Sequence, residues 1–364
     1  MKGGYFAQNI GKIYHNWGQN KERGDAPSWS VPAVMHYASH YHDTVRVAGQ
    51  KPGKVSKNPK WFREDVPDEA YFDGRVANLA IKALRERKEA ARPFFLAVGF
   101  WKPHAPFNAP SKYWDLYNRS KLSRPANPEW PRGAPRIAWH NSREILGRGE
   151  QRKLSEKDVM EMRHGYLAAI TYFDAQLGKV LDELDRLGLR ENTVVVFWSD
   201  HGFHLGEHSL WAKTSNFELD ARVPMIISAP GMKKPGVKTD ALAELVDLYP
   251  TLVELCGLPK AEGLDGKSLG PVLDDPAARV KKGACTQHPR PAYFSGSPEV
   301  MGRSVRTARY RYTEWRDFKT GKLVATELYD HDKDPLETVN ISGAPSSEAV
   351  LAECRKIHRE GFPR

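Results

Sequence analysis

Amphipathic helices alternate with short apolar strands along most of the chain. Apolar residues recur every three or four positions over 166–184, between the helix-start pattern Ser155–Asp158 and Gly188, and this spacing predicts a helix. Thr193–Ser199 follows as an unbroken run of β-branched and aromatic residues, which is typical of a strand buried on both faces. The alternation predicts an α/β fold, a mixed sheet covered by helices on both faces.

The same alternation continues on either side of this pair. A helix is predicted over 73–91, capped by its first residue, and it precedes the buried strand Phe94–Phe100. Val223–Ala229 predicts a further strand. Asp240–Leu255 predicts another amphipathic helix, broken near Pro250 because proline removes a backbone donor.

The pattern changes towards the C-terminus. Ser304–Trp315 and Thr326–Asp330 indicate strands joined by turns, and Ser346–His358 indicates a final helix. We therefore predict a main α/β domain over residues 1–278 and a smaller α+β subdomain over residues 279–364.

Composition excludes several classes of protein. No apolar run approaches the roughly 18 residues of a membrane span, so none is expected. Cys256, Cys285 and Cys354 are an odd number without CxxC spacing, which indicates neither a disulfide framework nor a zinc site.

The net charge of +10 is concentrated in one stretch. Between Arg279 and Lys322 there are eleven Lys and Arg against three Asp and Glu. Such a stretch forms either a solvated basic face or a surface that attracts an anionic partner, a sulfated or phosphorylated substrate or nucleic acid. No nucleic-acid-binding motif accompanies it, so nucleic acid is not the expected partner.

The motif Ser199-Asp200-His201-Gly202 comes directly after the valine-rich strand. Ligands of open α/β sheets bind at the carboxyl ends of strands, where a carboxylate and an imidazole can reach a metal or a substrate. The alternative is that Asp200 caps a turn and His201 only makes a structural hydrogen bond. A zinc site at 204–208 is not expected, because the spacing differs from HExxH and Gly206 interrupts a helix.

Two further motifs place basic residues after short apolar segments. Lys102-Pro103-His104 lies on a proline-stiffened turn and suits an anion site or acid–base chemistry, unless His104 is simply a surface histidine. Gly11-Lys12-Ile13-Tyr14-His15 is weaker on its own, because Lys12 could be an ordinary solvated charge.

These motifs together resemble the sulfatase family, most closely its iduronate-2-sulfatase branch. The resemblance rests on the ordered run from Trp198 to Pro224, on the two motifs above in the same chain order, and on Met301–Tyr312 and Glu327–Glu337. It covers essentially the whole chain and implies the alkaline-phosphatase-like sulfatase fold.

The resemblance also implies a reaction, the hydrolysis of sulfate esters, here of a sulfated saccharide. Sulfatases use a cysteine converted to formylglycine as nucleophile and a divalent cation, usually calcium. Asp200 and His201 correspond to the later pair of metal ligands. The basic residues around the sulfate and the leaving group correspond to Lys12, His15, His104 and Lys213.

The chain departs from the family in one respect. No cysteine begins a Cys-x-Pro-Ser-Arg signature, and the adjacent early aspartates are missing. We expect both to lie upstream of a truncated or split chain, so that this chain alone is inactive. The alternatives are a non-catalytic remnant that binds sulfated polysaccharide, or a phosphate or phosphonate ester hydrolase of the same superfamily. Residues 1–12 lack a signal-peptide pattern, yet the resemblance implies a periplasmic, secreted or lysosomal protein. The oligomeric state is left open.

Overall fold

A computed structural model describes residues 3–14, 25–35, 44–51, 53–54, 61–140, 143–146 and 154–362. The strands are β1 (Phe6–Gly11), β2 (Thr44–Val45), β3 (Gly53–Lys54), β4 (Trp61–Glu64), β5 (Phe94–Gly99), β6 (Phe107–Pro110), β7 (Val195–Trp198), β8 (His204–Leu205), β9 (Trp211–Ala212), β10 (Met225–Ser228), β11 (Ala284–Arg290), β12 (Val300–Arg306), β13 (Tyr310–Asp317) and β14 (Leu323–Asp330). The helices are α1 (Phe72–Ala90), α2 (Ser111–Trp114), α3 (Arg143–Leu146), α4 (Glu156–Arg186), α5 (Glu218–Ala221), α6 (Leu248–Leu255), α7 (Gly270–Asp274) and α8 (Glu348–Gly361).

The chain divides into two compact units. The first comprises Met1–Arg124 with Lys153–Asn192, and the second comprises Pro125–Arg152 with Thr193–Arg364. The boundary between residues 278 and 279 stays a prediction. Within the described ranges, no helix is both long enough and apolar enough to cross a membrane.

The first unit is built on the parallel strand pair β1 and β5. Gly11 lies opposite Gly99 at the end of this pair, so both strands finish at the same edge. Helix α1 packs against the pair and against α4. The face that α1 buries consists largely of small and aliphatic residues: Val76, Ala77, Ala80, Ala83 and Leu84.

The second unit contains an antiparallel pair and a four-stranded sheet. Strand β7 pairs with β10, and β11, β12, β13 and β14 form an antiparallel sheet in sequence order. Helix α8 packs on that sheet, and the core between them contains Val305, Tyr312, Leu328, Leu351 and Cys354. Together with the first unit, this confirms the predicted mixed α/β class and the predicted C-terminal strands and final helix.

Four local predictions were wrong. Strands β5 and β7 are half-buried rather than fully buried, with Phe95 and Trp198 each 47% exposed, because among the described residues each strand pairs with one neighbour. The helix expected from Asp240 begins only at Leu248, because the Glu244 N–H donates to the Asp247 carboxylate at 2.8 Å in a preceding turn. Pro250 lies in the first turn of α6, where a missing N–H costs little, so it does not break the helix. Asp73 does not cap α1, since its carboxylate binds backbone N–H groups of a distant segment.

Candidate functional site

The turn after β7 carries Asp200 and His201, and tight backbone packing fixes its shape. The Ser199 hydroxyl donates to the His201 carbonyl at 2.8 Å, and the Gly202 N–H donates to the Asp220 carbonyl at 2.8 Å. A Cβ on Gly202 would lie 1.8 Å from the Leu219 carbonyl oxygen. Only glycine fits there, so this position of the motif is required by close approach of two backbones.

Asp200 and His201 are arranged so that two ligand atoms face each other. The His201 Nδ1–H donates to the Gly202 carbonyl at 2.8 Å, which leaves Nε2 as the acceptor of the neutral ring. His201 Nε2 lies 3.7 Å from Asp200 Oδ1, and the two side chains are 33% and 64% exposed. One cation could contact both atoms, so the pair can form part of a metal site that opens to solvent.

Lys213 follows the β8–β9 hairpin in the same unit. Its ammonium lies 2.5 Å from Glu144 Oε2, and both side chains are largely buried. Thr214 next to it has φ of +87°, which is a strained conformation for a β-branched residue. The Thr214 carbonyl accepts from Arg290 Nη1 at 3.1 Å, which helps to hold this conformation.

Two histidines near this loop were missed by the sequence reasoning. His140 Nε2 lies 2.8 Å from Thr214 Oγ1. Burial, reinforced by Arg290, lowers the pKa of His140 from 6.5 to about 3. Burial, only partly opposed by Asp220, lowers the pKa of His288 to about 4. Both rings are therefore neutral at physiological pH, and neither belongs to a motif whose spacing could have revealed it.

In the first unit, the turn that carries His104 is held by a buried carboxylate. Asp73 accepts the Trp101 N–H at 2.8 Å and the Lys102 N–H at 2.9 Å. The Lys102 ammonium donates to the Pro106 carbonyl and to Asn108 Oδ1, both at 2.7 Å. These contacts make Lys102 a structural part of the turn.

His104 presents one ring nitrogen from this turn. Its Nδ1–H donates to the Ala105 carbonyl at 2.7 Å, so any proton exchange with another group would take place at Nε2. Lys12 lies at the same sheet edge, since its N–H donates to the Gly99 carbonyl at 2.8 Å where β1 and β5 end. The structure thus places Lys12 and the His104 turn at one edge of the first unit, whereas His15 lies outside the described residues.

A separate acidic cluster does not resemble a metal site. Ligand atoms of Glu218, His331 and Glu337 lie within 4.8 Å of one another. Arg311, however, pairs with Glu218, and its Nε lies 3.0 Å from Glu337 Oε1. Because a guanidinium already neutralises both carboxylates, the cluster is better described as a buried ion-pair network.

Two of the three cysteines lack the properties of a nucleophile. Burial raises the pKa of the Cys285 thiol from 9.0 to about 12 and that of Cys354 to about 11. Cys256 is half-buried at the end of α6. A protonated thiol is a poor nucleophile, so the side chains agree with the missing sequence signature.

Comparison with known proteins gives consistent matches. The sulfatase family profile matches residues 3–258, and a profile for the C-terminal part of N-sulphoglucosamine sulphohydrolase matches residues 206–360. Iduronate 2-sulfatase of Mus musculus is 32% identical, and the match covers 97% of this chain and 77% of that protein. The phosphonate monoester hydrolase of Agrobacterium radiobacter shares the fold with a TM-score of 0.74 at 22% identity, over 99% of this chain and 79% of that one. A structure solved with its substrate D-glucosamine-2-N,6-O-disulfate has a TM-score of 0.71 at 19% identity, over the same shares of the two chains. The structural matches confirm the fold that the resemblance implied.

Proposed function

The chain belongs to the sulfatase family, and on that basis we propose that it acts on the sulfate ester of a sulfated saccharide. The observation that carries the proposal is the pair of ligand atoms at the end of β7, Asp200 Oδ1 and His201 Nε2, 3.7 Å apart. The 32% identity to iduronate 2-sulfatase supports a saccharide as substrate.

Asp200 and His201 are the proposed ligands of a divalent cation, which we infer to be calcium. When bound, such an ion polarises a sulfate oxygen. The donor set fits this role only in part, because calcium takes about six to eight ligands and prefers oxygen to nitrogen. The pair therefore supplies part of a coordination shell.

The basic residues have distinct proposed roles. Sulfuryl transfer spreads negative charge over the peripheral oxygens, and fixed cations stabilise that charge most where water is excluded. Lys213, largely buried beside Glu144, and Lys12 are the proposed cations, together with His15 from the resemblance. His104 is the proposed acid, because Nδ1 is held by a carbonyl and Nε2 can give a proton to the leaving alkoxide.

The nucleophile is inferred to come from polypeptide other than these 364 residues. None of the three cysteines has the formylglycine signature, and burial keeps two of the thiols protonated. The same reasoning applies to the two early carboxylate ligands. We therefore propose that this chain contributes the acid, the cations and part of the metal site but does not hydrolyse esters alone.

Two measurements test this proposal. Calcium binding by calorimetry should be lost in Asp200→Ala and retained in Asp274→Ala, a matched control whose carboxylate is 63% exposed against 64% for Asp200. Equal calcium binding in all three proteins, or none in the unaltered protein, would contradict the metal site.

The second measurement follows sulfate release from a 2-O-sulfated uronate disaccharide. We expect binding without release, and release once polypeptide carrying Cys-x-Pro-Ser-Arg and the paired aspartates is supplied from the upstream reading frame. Release by this chain alone would refute the inference about the nucleophile. Faster cleavage of the corresponding phosphate monoester would favour the phosphoester alternative, and binding without release in every case would favour a polysaccharide-binding role.

A further inference from the structure

Asp220 is a buried carboxylate that fastens two separate points of one loop. The residue is 4% exposed, so its carboxylate is buried. Asp220 Oδ1 accepts from His204 Nδ1 at 2.8 Å, and Oδ2 accepts from the Ser215 N–H at 2.9 Å and the Ser215 hydroxyl at 2.6 Å. The two carboxylate oxygens thus bind the two ends of segment 204–215, which contains Lys213.

The backbone of Asp220 adds a third point of attachment. Its carbonyl accepts the Gly202 N–H at 2.8 Å, and Gly202 directly follows His201. One residue therefore holds the turn of the proposed metal ligands, the start of the hairpin and the end of the Lys213 loop. No other contact described for this segment joins all three.

The loop needs such fastening because its backbone is strained. Positive φ angles occur at four non-glycine residues within seven positions: His208 (53°), Ser209 (55°), Ala212 (71°) and Thr214 (87°). Each such conformation costs free energy and persists only where surrounding contacts fix it. Lys213 lies between two of these residues, so its position depends on those contacts.

Hydrogen-bond geometry indicates that His204 and His208 carry three ring protons between them. His208 Nε2 lies 2.7 Å from the Leu336 carbonyl, which can only accept, so His208 Nε2 carries a proton. His204 Nδ1 faces the Asp220 carboxylate and carries a proton as well. His204 Nε2 lies 3.4 Å from His208 Nδ1, and two neutral rings would set two lone pairs against each other there. A third proton therefore lies between the rings, and the Asp220 carboxylate beside His204 favours His204 as the imidazolium.

We propose that His204 and Asp220 form a buried ion pair whose role is to position Lys213 and the Asp200–His201 turn for the sulfate group. The proposal rests on the proposed function, since it takes these three residues as the site. His204 is 0% exposed and Asp220 is 4% exposed, so both act through the loop and are positioning residues.

The surrounding charges agree with this assignment. Burial alone would lower the pKa of His204, but Asp220, with smaller contributions from Glu207 and Glu337, raises it above its usual value. Burial and the charge of His204 lower the pKa of His208, so the two rings share one extra proton. The neutral ring of His140 also interacts electrostatically with His204.

The first test needs no substitution. Nitrogen-15 NMR of the histidine rings at about pH 7 should show both ring nitrogens of His204 protonated. A single ring proton on His204 in the unaltered protein would overturn the ion pair.

The second test compares Asp220→Asn with Asp330→Asn, a control whose carboxylate is 7% exposed and bound by Arg309 away from the loop. Amide hydrogen exchange at Gly202 and Ser215 should rise about tenfold or more in Asp220→Asn only, and calcium affinity should fall about tenfold in the same variant. Unchanged exchange at both amides would refute the positioning role. If Asp220→Asn does not fold, His204→Gln is measured instead and should give the same increases.

The two proposals can fail separately. Absence of calcium binding in the unaltered protein would remove the proposed function, while ring protonation and amide exchange would still decide whether the ion pair fastens the loop. Normal calcium affinity in Asp220→Asn with increased exchange would show a structural role only, and would overturn positioning of the metal ligands.

Discussion

Glu327 in the core of the C-terminal sheet gives a quantitative prediction about stability and pH. Its side chain is buried, and its carboxyl oxygens accept from Trp315 Nε1 and from the Tyr329 hydroxyl, each at 2.7 Å. Burial raises the pKa of Glu327 from 4.5 to about 7, because these two hydrogen bonds only partly offset the cost of desolvating the charge.

The direction of the pH dependence of stability follows from how many protons the folded and the unfolded protein bind. Between the unfolded pKa of 4.5 and the folded pKa of about 7, the folded protein binds more protons than the unfolded chain. Stability therefore falls as the pH rises through this window, and the shift corresponds to about 3 kcal/mol. The side chain in Glu327→Gln resembles the protonated, uncharged carboxyl group. The variant should therefore not lose stability as the pH rises through this window.

The measurement is urea unfolding followed by tryptophan fluorescence at several pH values. The difference in unfolding free energy between Glu327→Gln and the unaltered protein should grow in favour of the variant by about 3 kcal/mol between about pH 4 and pH 8. The other titrating groups contribute equally to both proteins, so their contributions cancel in this difference. A difference that stays constant with pH, or that moves the other way, would show that Glu327 ionises normally inside the folded protein.

Three other predictions concern the site and its supports. Gly202→Ala should destabilise the protein by about 3 kcal/mol or more in urea unfolding, since its Cβ would lie 1.8 Å from a carbonyl oxygen. Gly178→Ala in α4 is the control, because nothing lies within 4 Å of its Cβ, and it should stabilise by about 0.5–1 kcal/mol. Asp73→Ala should cost about 3–5 kcal/mol by the same assay, because two buried N–H groups lose a charged acceptor; a cost below about 1 kcal/mol would contradict this role. Lys213→Gln should weaken binding of the sulfated disaccharide in calorimetry about tenfold or more. Lys281→Gln is the control, because its side chain is 8% exposed against 16% for Lys213 and its ammonium is bound by Glu244 and Asp247; it should change stability and leave binding intact.

Local sequence determined the regular elements and the order of the motifs. The apolar spacing of α4 and the β-branched run of β7 each match one periodicity, so the pattern is sufficient to predict a helix and a strand, although β7 is half-buried and not the fully buried strand that was expected. Strand β5 was also predicted, because an apolar run follows directly after Pro93. Motif order also sufficed to identify the family, because a long ordered run of residue types rarely arises by chance.

Only the tertiary structure decided which polar side chains support the site. The sequence suggested a helix cap for Asp73, and for His204 it only excluded a zinc site over residues 204–208. Both instead bind groups far along the chain, Asp73 to the backbone of residues 101 and 102 and His204 to Asp220. His140 and His288 were not predicted to lie near the site for the same reason. A buried hydrogen bond depends on which distant segments the fold brings together, and no local spacing in the sequence encodes that distance.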